Sequence, residues 1–374
     1  MKFRCEQETL ATAVATAQRA VASRTGAPPV LSDLRITATA DGIELVGSDL
    51  EITSRVHAAA DVEETGVAVI PKIIGEIVRK LEGSVTITVV DEEATIASGG
   101  FTTTLRLKQA EEYPRIAASD GAGVSIDAVK FAGALRQVVR AASRDDLRPI
   151  LTGVLLTTTA TGLRLVATDS YRLAVRDLPG ITMLGDRQKV LVAAKGLAEV
   201  QRLAEAKEKD GSIDTVEVVL GERDVVFRRG NSEVTARLIE GEFPNYEQLI
   251  PAGYPNRLTV DKAAFREAVE RVMVVGQGRD NAAVRLTMRS DGLELAMTAQ
   301  DVGSSTGSID AKYEGTELVV AFNPQFLLDG IDVVEGPELA LETVDNLKPA
   351  TLRSAVRPDD DGDFLYLLMP VRTS

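Results

Sequence analysis

Residues 154–169 read VLLTTTATGLRLVATD, and the same pattern returns as LRITATADGIELVGSD at residues 34–49 and as VRLTMRSDGLELAMTA at residues 284–299. In each stretch apolar and polar residues alternate on both sides of a short turn ending in glycine. That alternation marks two half-buried antiparallel strands joined as a hairpin. The glycines stand at 42, 162 and 292, so the pattern recurs after 120 and then 130 residues. A repeat of that length is a whole domain rather than a solenoid unit.

Other elements recur at the same offsets. Amphipathic helices precede the hairpins around Leu10 and Val14, Phe131 and Leu135, and Phe265 and Val269. Second helices follow, near Pro71–Leu81, Ala194–Ala206 and Pro324–Val334. Each third closes with further strands and a Tyr113-Pro114, Phe243-Pro244 or Met369-Pro370 step. The Gly-, Pro- and Ala-rich stretches Ala117–Gly123 and Pro251–Pro255 read as linkers. The expected fold is α+β, three tandem copies of a helix–sheet domain at 1–119, 120–252 and 253–374.

Composition agrees with a folded protein. The chain has 374 residues, 44% hydrophobic and 26% charged, which is ample for sizeable cores and excludes wholesale disorder. No apolar run approaches the roughly 20 residues that span a bilayer. The opening Met1–Glu6 lacks the apolar core of a signal peptide. One cysteine, Cys5, excludes an intramolecular disulfide framework and any multi-cysteine zinc site. The expected compartment is the reducing cytoplasm, and no cofactor is expected.

Charge poses a puzzle. Lys and Arg number 42 against 56 Asp and Glu, a net charge of −14. Taken alone, that balance argues against nucleic acid, because phosphate-binding proteins usually show a basic footprint. The middle third, however, is nearly neutral, so the placement of its basic residues decides more than the total. On a helix from about Asp127 to Ser143, Phe131, Leu135, Val138 and Ala142 share one face. Arg136, Arg140 and Arg144 form a stripe on the other side, at about 100° per residue. The first helix repeats the logic with Arg19, and Arg24 lies just beyond it. Lys72, Arg79 and Lys80 decorate the next helix, and Lys195 and Arg202 the one after. In the last helix Asp329, Asp332 and Glu335 leave no basic residue, so a basic lining is expected to be incomplete there.

Catalytic constellations are missing. The one histidine, His57, sits in a strand-like segment after an arginine. Gly303–Gly307 matches G-x-S-x-G by letter, but a nucleophile elbow needs a strand before and a helix after it, and this stretch runs on with strand-like spacing. The run Asp359–Asp363 lacks the final carboxylate of a calcium loop and reads as a solvated turn. Asp49 and Asp169 occupy equivalent repeat positions, which leaves an enzyme with a paired-carboxylate site as one alternative; recurring carboxylates more often shape turns. A repeat-built scaffold without a DNA role is the other.

Three further motifs carry a family resemblance. Residues 167–174, ATDSYRLA, resemble the A-T-D-x-[HY]-R-L-A segment of the bacterial DNA polymerase III beta subunit family, the replication sliding clamps. Residues 241–246, GEFPNY, resemble its G-x-[FY]-P-[DN]-Y segment, and residues 366–372, YLLMPVR, its ending. The resemblance covers essentially the whole chain. It implies two crescent protomers joined head to tail, with sheets outside and basic helices lining a central hole around duplex DNA. It implies a processivity factor and not an enzyme. An acidic exterior beside basic inner faces would then resolve the charge puzzle, since phosphate contacts carry no sequence information.

The resemblance also implies sites. A partner-peptide pocket maps onto Leu151, Thr168, Ser170, Tyr171, Arg172, Leu173, Pro244, Leu249, Asn323, Phe326, Leu347, Pro349, Leu367, Leu368, Met369, Pro370 and Arg372. Such a mostly apolar set with a few polar anchors suits short linear peptides, such as those of the polymerase catalytic subunit, the clamp loader and other clamp-binding proteins. The chain departs from some relatives at Tyr171, Gln248 and Asn281, and runs on to Thr373-Ser374. A homodimer seam is implied at Thr103, Leu105 and Leu107 on one side and Val274 and Val275 on the other. The expected partners are therefore double-stranded DNA, a second copy of the chain and the clamp-binding proteins, with no membrane.

Overall fold

The structure, a computed structural model, describes residues 1–22, 27–114, 116, 121, 123–183, 185, 187–206, 214–278, 282–356 and 362–372. Six α-helices occur among them: α1 (Gln7–Gln18), α2 (Ile74–Val78), α3 (Ala128–Val138), α4 (Ala194–Glu205), α5 (Lys262–Met273) and α6 (Pro324–Val333). The remaining elements are antiparallel strands and short 3-10 turns. The three glycine-ended hairpins form as expected. Thr37 pairs with Glu44, Thr157 with Arg164 and Thr287 with Glu294, and Gly42, Gly162 and Gly292 take φ values of 129°, 159° and 145°.

Helix ends follow capping chemistry. Asp261 precedes α5 and its carboxylate accepts the Ala264 N–H at 2.8 Å. Asn323 precedes α6 and accepts the N–H groups of Gln325 and Phe326, with Pro324 in the first turn. Two expected helices are shorter in the structure. Of Pro71–Leu81 only Ile74–Val78 is α-helical; Ile73, Ile74, Ile77, Val78 and Gly75 are weak helix formers and the flanks are turns. The helix expected to reach Ser143 ends at Val138, tightens into a 3-10 turn at Val139–Ala141, and then lets the Ser143 N–H donate to the Leu151 carbonyl. Arg140 therefore lies on the 3-10 turn and Arg144 beyond it.

The chain divides into two compact units, 1–132 with 195–238, and 133–194 with 239–374. The first contains a five-stranded sheet in the order Asp61–Glu64, Lys2–Glu6, Ser84–Val90, Glu93–Ser98, Phe101–Arg106. Its eight-stranded sheet runs Val124–Asp127, Thr215–Leu220, Asp224–Arg229, Ser232–Arg237, Ile52–Ala58, Gly42–Ser48, Leu34–Thr39, Gly66–Ile70. The seam between Ser232–Arg237 and Ile52–Ala58, with Val234 opposite Ser54, welds strands from two repeats into one sheet. Leu10, Val14 and Ala17 of α1 bury against Phe3, Ile36, Leu45, Val56 and Ile87. At Gly47 any Cβ would lie 2.0 Å from the Ala17 carbonyl oxygen, so the backbone of α1 rests directly on this strand.

The second unit repeats the plan. Its nine-stranded sheet runs Lys189–Ala193, Gly153–Thr158, Gly162–Thr168, Arg172–Pro179, Phe364–Leu368, Ala350–Ser354, Glu338–Thr343, Asn256–Asp261, Lys312–Glu314. Here the seam pairs Arg172–Pro179 with Phe364–Leu368, placing Arg172 opposite Leu368 and Leu173 opposite Leu367. A four-stranded sheet, Gly303–Ile309, Gly292–Ala299, Val284–Arg289, Leu318–Phe322, packs against α5. The G-x-S-x-G stretch is thus the start of an edge strand. No helix among the described residues is long and apolar enough to cross a membrane.

Candidate functional site

Two turns at equivalent repeat positions explain the recurring aspartates. The Asp49 carboxylate accepts N–H groups from Glu51 and Ile52 at 3.0 and 2.8 Å, and Leu50 takes φ 72°. The Asp169 carboxylate does the same for Tyr171 and Arg172 at 2.9 and 3.0 Å, with Ser170 at φ 79°. In the third copy Ala299 replaces the aspartate, and the turn closes through the Val302 N–H on the Ala299 carbonyl, with Gly303 at φ 137°. Both carboxylates also hold a cation, Lys195 on Asp49 and Arg172 on Asp169. Each is a turn cap within its own unit.

The second turn carries the most developed cluster in the molecule. Asp169 fixes the strand end, and Thr168 Oγ1 donates to the Arg172 carbonyl at 2.6 Å. The Arg172 guanidinium is buried. Its Nε donates to Asp169 at 3.0 Å, and its Nη1 donates to Asp329 of α6 and to the Tyr366 hydroxyl. Its plane lies over the Phe326 ring, 4.4 Å from the centroid. Tyr366 in turn donates to the Phe326 carbonyl at 3.0 Å. Burial opposes the Arg172 charge, but Tyr366, Asp329 and Asp169 outweigh it and hold the guanidinium above its ordinary pKa. Burial pushes the Tyr366 phenol up, with Arg172 pulling the other way.

Around this anchor the structure gathers most of the residues expected for the pocket. Tyr171 is 60% exposed, and its ring is tilted against Phe326, centroids 6.2 Å apart. The Met369 N–H donates to the Tyr171 carbonyl at 2.9 Å, and Val371 to Ala321, which ties the tail segment to the turn. Leu173 and Leu367 bury with Leu155, Val166 and Tyr246, and Met369 and Phe243 pack on that cluster. Leu151, Leu173, Leu367 and Leu368 are buried, Leu173 and Leu367 within that cluster. Met369, Pro370, Phe326, Asn323 and Pro349 are half-buried, and Ser170, Pro244, Leu249, Leu347 and Arg372 are exposed. Sequence reasoning missed Asp329 and Tyr366 as members, because their roles depend on α6 lying beside a strand from the distant repeat. It also missed Arg148, whose Nη1 donates to Ser170 Oγ at 3.2 Å while its Nε pairs with Asp145. Asn281 and Thr373-Ser374 lie outside the described residues.

The basic residues fall into two groups. In the first unit Arg19 caps the end of α1 and pairs with Glu199 at 2.7 Å, a carboxylate it shares with Arg202. Lys72, Arg79 and Lys80 are exposed around α2, and Lys195 opens α4. Arg24 lies outside the described residues. In the second unit Arg136, Arg140 and Arg144 are all exposed. Arg140 contacts Asp332 at 3.3 Å and Asp329 at 3.9 Å. In the last third the basic residues lie on α5, which the sequence reading passed over, and they are engaged within the fold. Arg266 pairs with Asp332 at 2.9 Å, and Lys262 donates to the carbonyls of Asp332 and Val334. Lys262 is pushed below its ordinary pKa, first by burial and further by Arg136 and Arg266.

The seam residues sit on strand and helix ends. Thr103 and Leu105 are half-buried on Phe101–Arg106, the edge strand of the five-stranded sheet, and Leu107 follows it; Phe101 beside them is 74% exposed. Val274, 59% exposed, and the half-buried Val275 lie on the 3-10 turn after α5. Among the described residues no group of three or more His, Cys, Asp or Glu side chains is placed to hold a metal.

Comparison with known proteins covers the whole chain. Residues 1–117, 125–245 and 247–372 match the N-terminal, central and C-terminal domains of the DNA polymerase III beta subunit. The beta sliding clamp of Streptomyces coelicolor is 34% identical, with all of both chains covered. That of Synechococcus elongatus is 30% identical over all of this chain and 99% of its own. Among solved structures, the sliding clamp of Bacillus subtilis aligns over all of both chains with a TM-score of 0.87 and 28% identity. The clamp of Bartonella birtlesii, solved bound to griselimycin, does so with 0.89 and 27%.

Proposed function

This chain belongs to the DNA polymerase III beta subunit family and is a DNA sliding clamp, a processivity factor with no catalytic role of its own, and we propose that it works as half of a closed homodimeric ring in the cytoplasm. Each protomer contributes three domains, 1–119, 120–252 and 253–374, and each domain supplies one pair of helices: α1 with α2, α3 with α4, α5 with α6. The edge strand Phe101–Arg106 of one protomer meets the Val274–Gly276 turn region of the next. Because the two surfaces differ, the contact is heterologous, and it closes at two copies.

The observation that carries this reading is the exposed trio Arg136, Arg140 and Arg144 on a chain whose net charge is −14. With Arg19, Lys72, Arg79, Lys80, Lys195 and Arg202 they face the duplex and contact phosphates without reading bases. Such contacts are weak singly and fall with salt through counterion release. Retention therefore comes from topology: a closed ring cannot leave a closed circle, yet it slides freely because no phosphate is preferred over its neighbour. The acidic remainder keeps DNA off the outer surface.

The cluster around Arg172 and Tyr171 takes the short peptides through which the polymerase, the clamp loader and other factors dock in turn. Exposed or half-buried Tyr171, Phe326, Met369, Pro244, Leu249 and Leu347 offer apolar contacts, and Arg172 supplies a rigid polar anchor. Flexible peptides carry an ordering cost, so binding in the micromolar range is expected. The test is retention on DNA. Clamp loaded on nicked circular plasmid should stay through gel filtration and be lost on linearisation. Equal loss from circular and linear DNA would overturn the ring reading.

A further inference from the structure

We propose that Glu199 and Asp332 are positioning residues for the basic face, each holding two arginines back from DNA so that phosphate contacts stay brief and the ring moves freely. The inference rests on, and deepens, the reading of this face as the lining of a hole around duplex DNA.

One arrangement is built twice, from different elements. In the first unit the Glu199 carboxylate of α4 takes Arg19, at the end of α1, on one oxygen at 2.7 Å. Its other oxygen takes Arg202, one turn along the same helix. In the second unit the Asp332 carboxylate of α6 takes Arg266 of α5 on one oxygen at 2.9 Å. Its other oxygen takes Arg140, on the 3-10 turn after α3, at 3.3 Å. Each carboxylate thus spends its two oxygens on two different guanidinium groups. Neighbouring charges add to the restraint. Arg266 also meets Glu270 at 2.9 Å, and Arg140 lies 3.9 Å from Asp329. Lys195 is held by Asp49, and Lys262 donates to the carbonyls of Asp332 and Val334. Arg136 and Arg144, by contrast, have no carboxylate partner among the described residues.

The four held arginines are still 36–54% exposed along their side chains, so a phosphate can reach them. It can take one only by displacing a carboxylate that already neutralises it. The gain is then the difference between two similar ion pairs, less the repulsion between the phosphate and the displaced carboxylate. An arginine that stays with its carboxylate neutralises no phosphate and releases no counterion. A bidentate arginine–phosphate fork is strong and fixed in direction, and forks of that kind would hold a ring at one register. Arg136 and Arg144 supply the standing attraction, and the four held arginines yield to a phosphate only in passing.

The test uses the full-length protein and a short fluorescent duplex, with anisotropy titrations over a range of KCl concentrations. Glu199→Gln and Asp332→Asn keep the side-chain size and remove the charge. Each should bind the duplex about three-fold or more tighter than wild type at equal salt. The slope of log affinity against log salt should steepen by about 0.9 for each arginine released. Loaded on plasmid that is then linearised, each variant should leave more slowly than wild type. Glu63→Gln removes one negative charge and the Lys2 pair far along the chain, and should match wild type. Adding Arg19→Ala and Arg202→Ala should abolish the gain from Glu199→Gln, which a mere fall in net negative charge would not. Wild-type affinity, slope and departure rate in both variants would overturn the proposal, as would an equal gain in Glu63→Gln or one that survives loss of the two arginines. If wild type itself is not held on nicked circular plasmid, the DNA reading of this face fails and the proposal fails with it.

Discussion

One substitution made at two glycines should have opposite effects, and the difference can be worked from the structure. Gly330 lies within α6, where an added Cβ would sit 2.6 Å from two carbons of the Tyr366 ring and 2.8 Å from a Leu352 methyl. The ring cannot withdraw easily: it is fully buried, and its hydroxyl is tied to the Phe326 carbonyl and to Arg172. Gly133 lies within α3 and an added Cβ there meets nothing within 4 Å. In a helix interior, alanine gains about 1 kcal/mol over glycine. Overpacking a filled core costs about 1–3 kcal/mol. Gly133→Ala should therefore stabilise by up to about 1 kcal/mol, while Gly330→Ala should lose a net of up to about 2 kcal/mol. Urea denaturation followed by circular dichroism measures both. Gly330→Ala should also weaken a clamp-binding peptide by roughly three- to ten-fold, because a displaced Tyr366 shifts the anchor on Arg172. If both variants move stability in the same direction, the packing argument for α6 against the strand Phe364–Leu368 is wrong.

Three other outcomes are expected. Val274→Glu combined with Val275→Glu should give monomers by light scattering, since unpaired charges in an apolar seam cost several kcal/mol; a stable dimer would show that the seam lies elsewhere. Replacing Arg136, Arg140 and Arg144 by Ala should leave the dimer intact but flatten the salt dependence of DNA binding by about 0.9 log units per lost phosphate contact, and an unchanged slope would mean these side chains only solvate the surface. Deleting residues 369–374 should abolish peptide binding while the dimer persists, and Arg172→Ala should weaken the peptide less than the deletion does. Normal affinity in the deletion variant, read by calorimetry, would relocate the pocket.

What the sequence made legible was local. The alternation around Gly42, Gly162 and Gly292 is a property of a few consecutive residues, and so is the apolar spacing of the helices that flank each hairpin. Their elements appear where the pattern puts them. The extent of α2 and the C-terminal end of α3 were misjudged for a related reason: apolar spacing marks a buried face but does not say where the helix stops along it. The seams were invisible, because nothing in residues 232–237 announces that they will pair with 52–58. The same holds for the anchor. Arg172 was visible within its motif, but Asp329 and Tyr366, which immobilise it, come from the other side of a seam. The Lys262 and Arg266 contribution was hidden by the carboxylates Glu267 and Glu270 that share their helix.

The seams also govern the order in which the molecule can be completed as it is made. His57, in one strand, and Asn231, beside its partner, are separated by 174 positions, and Arg172 and Tyr366 by 194. At roughly 5–20 residues per second, a nascent chain waits on the order of ten seconds or more between exposing the first strand of a seam and producing the second. Through that interval each leading strand is an open edge, able to pair with any other extended segment. Arg55 on one, and Arg172 and Arg176 on the other, put charge along those edges. Arginines that hold the finished sheets together, Arg55 and Arg172 by ion pairs, are thus expected also to keep the half-made protein from pairing with its neighbours on the same message.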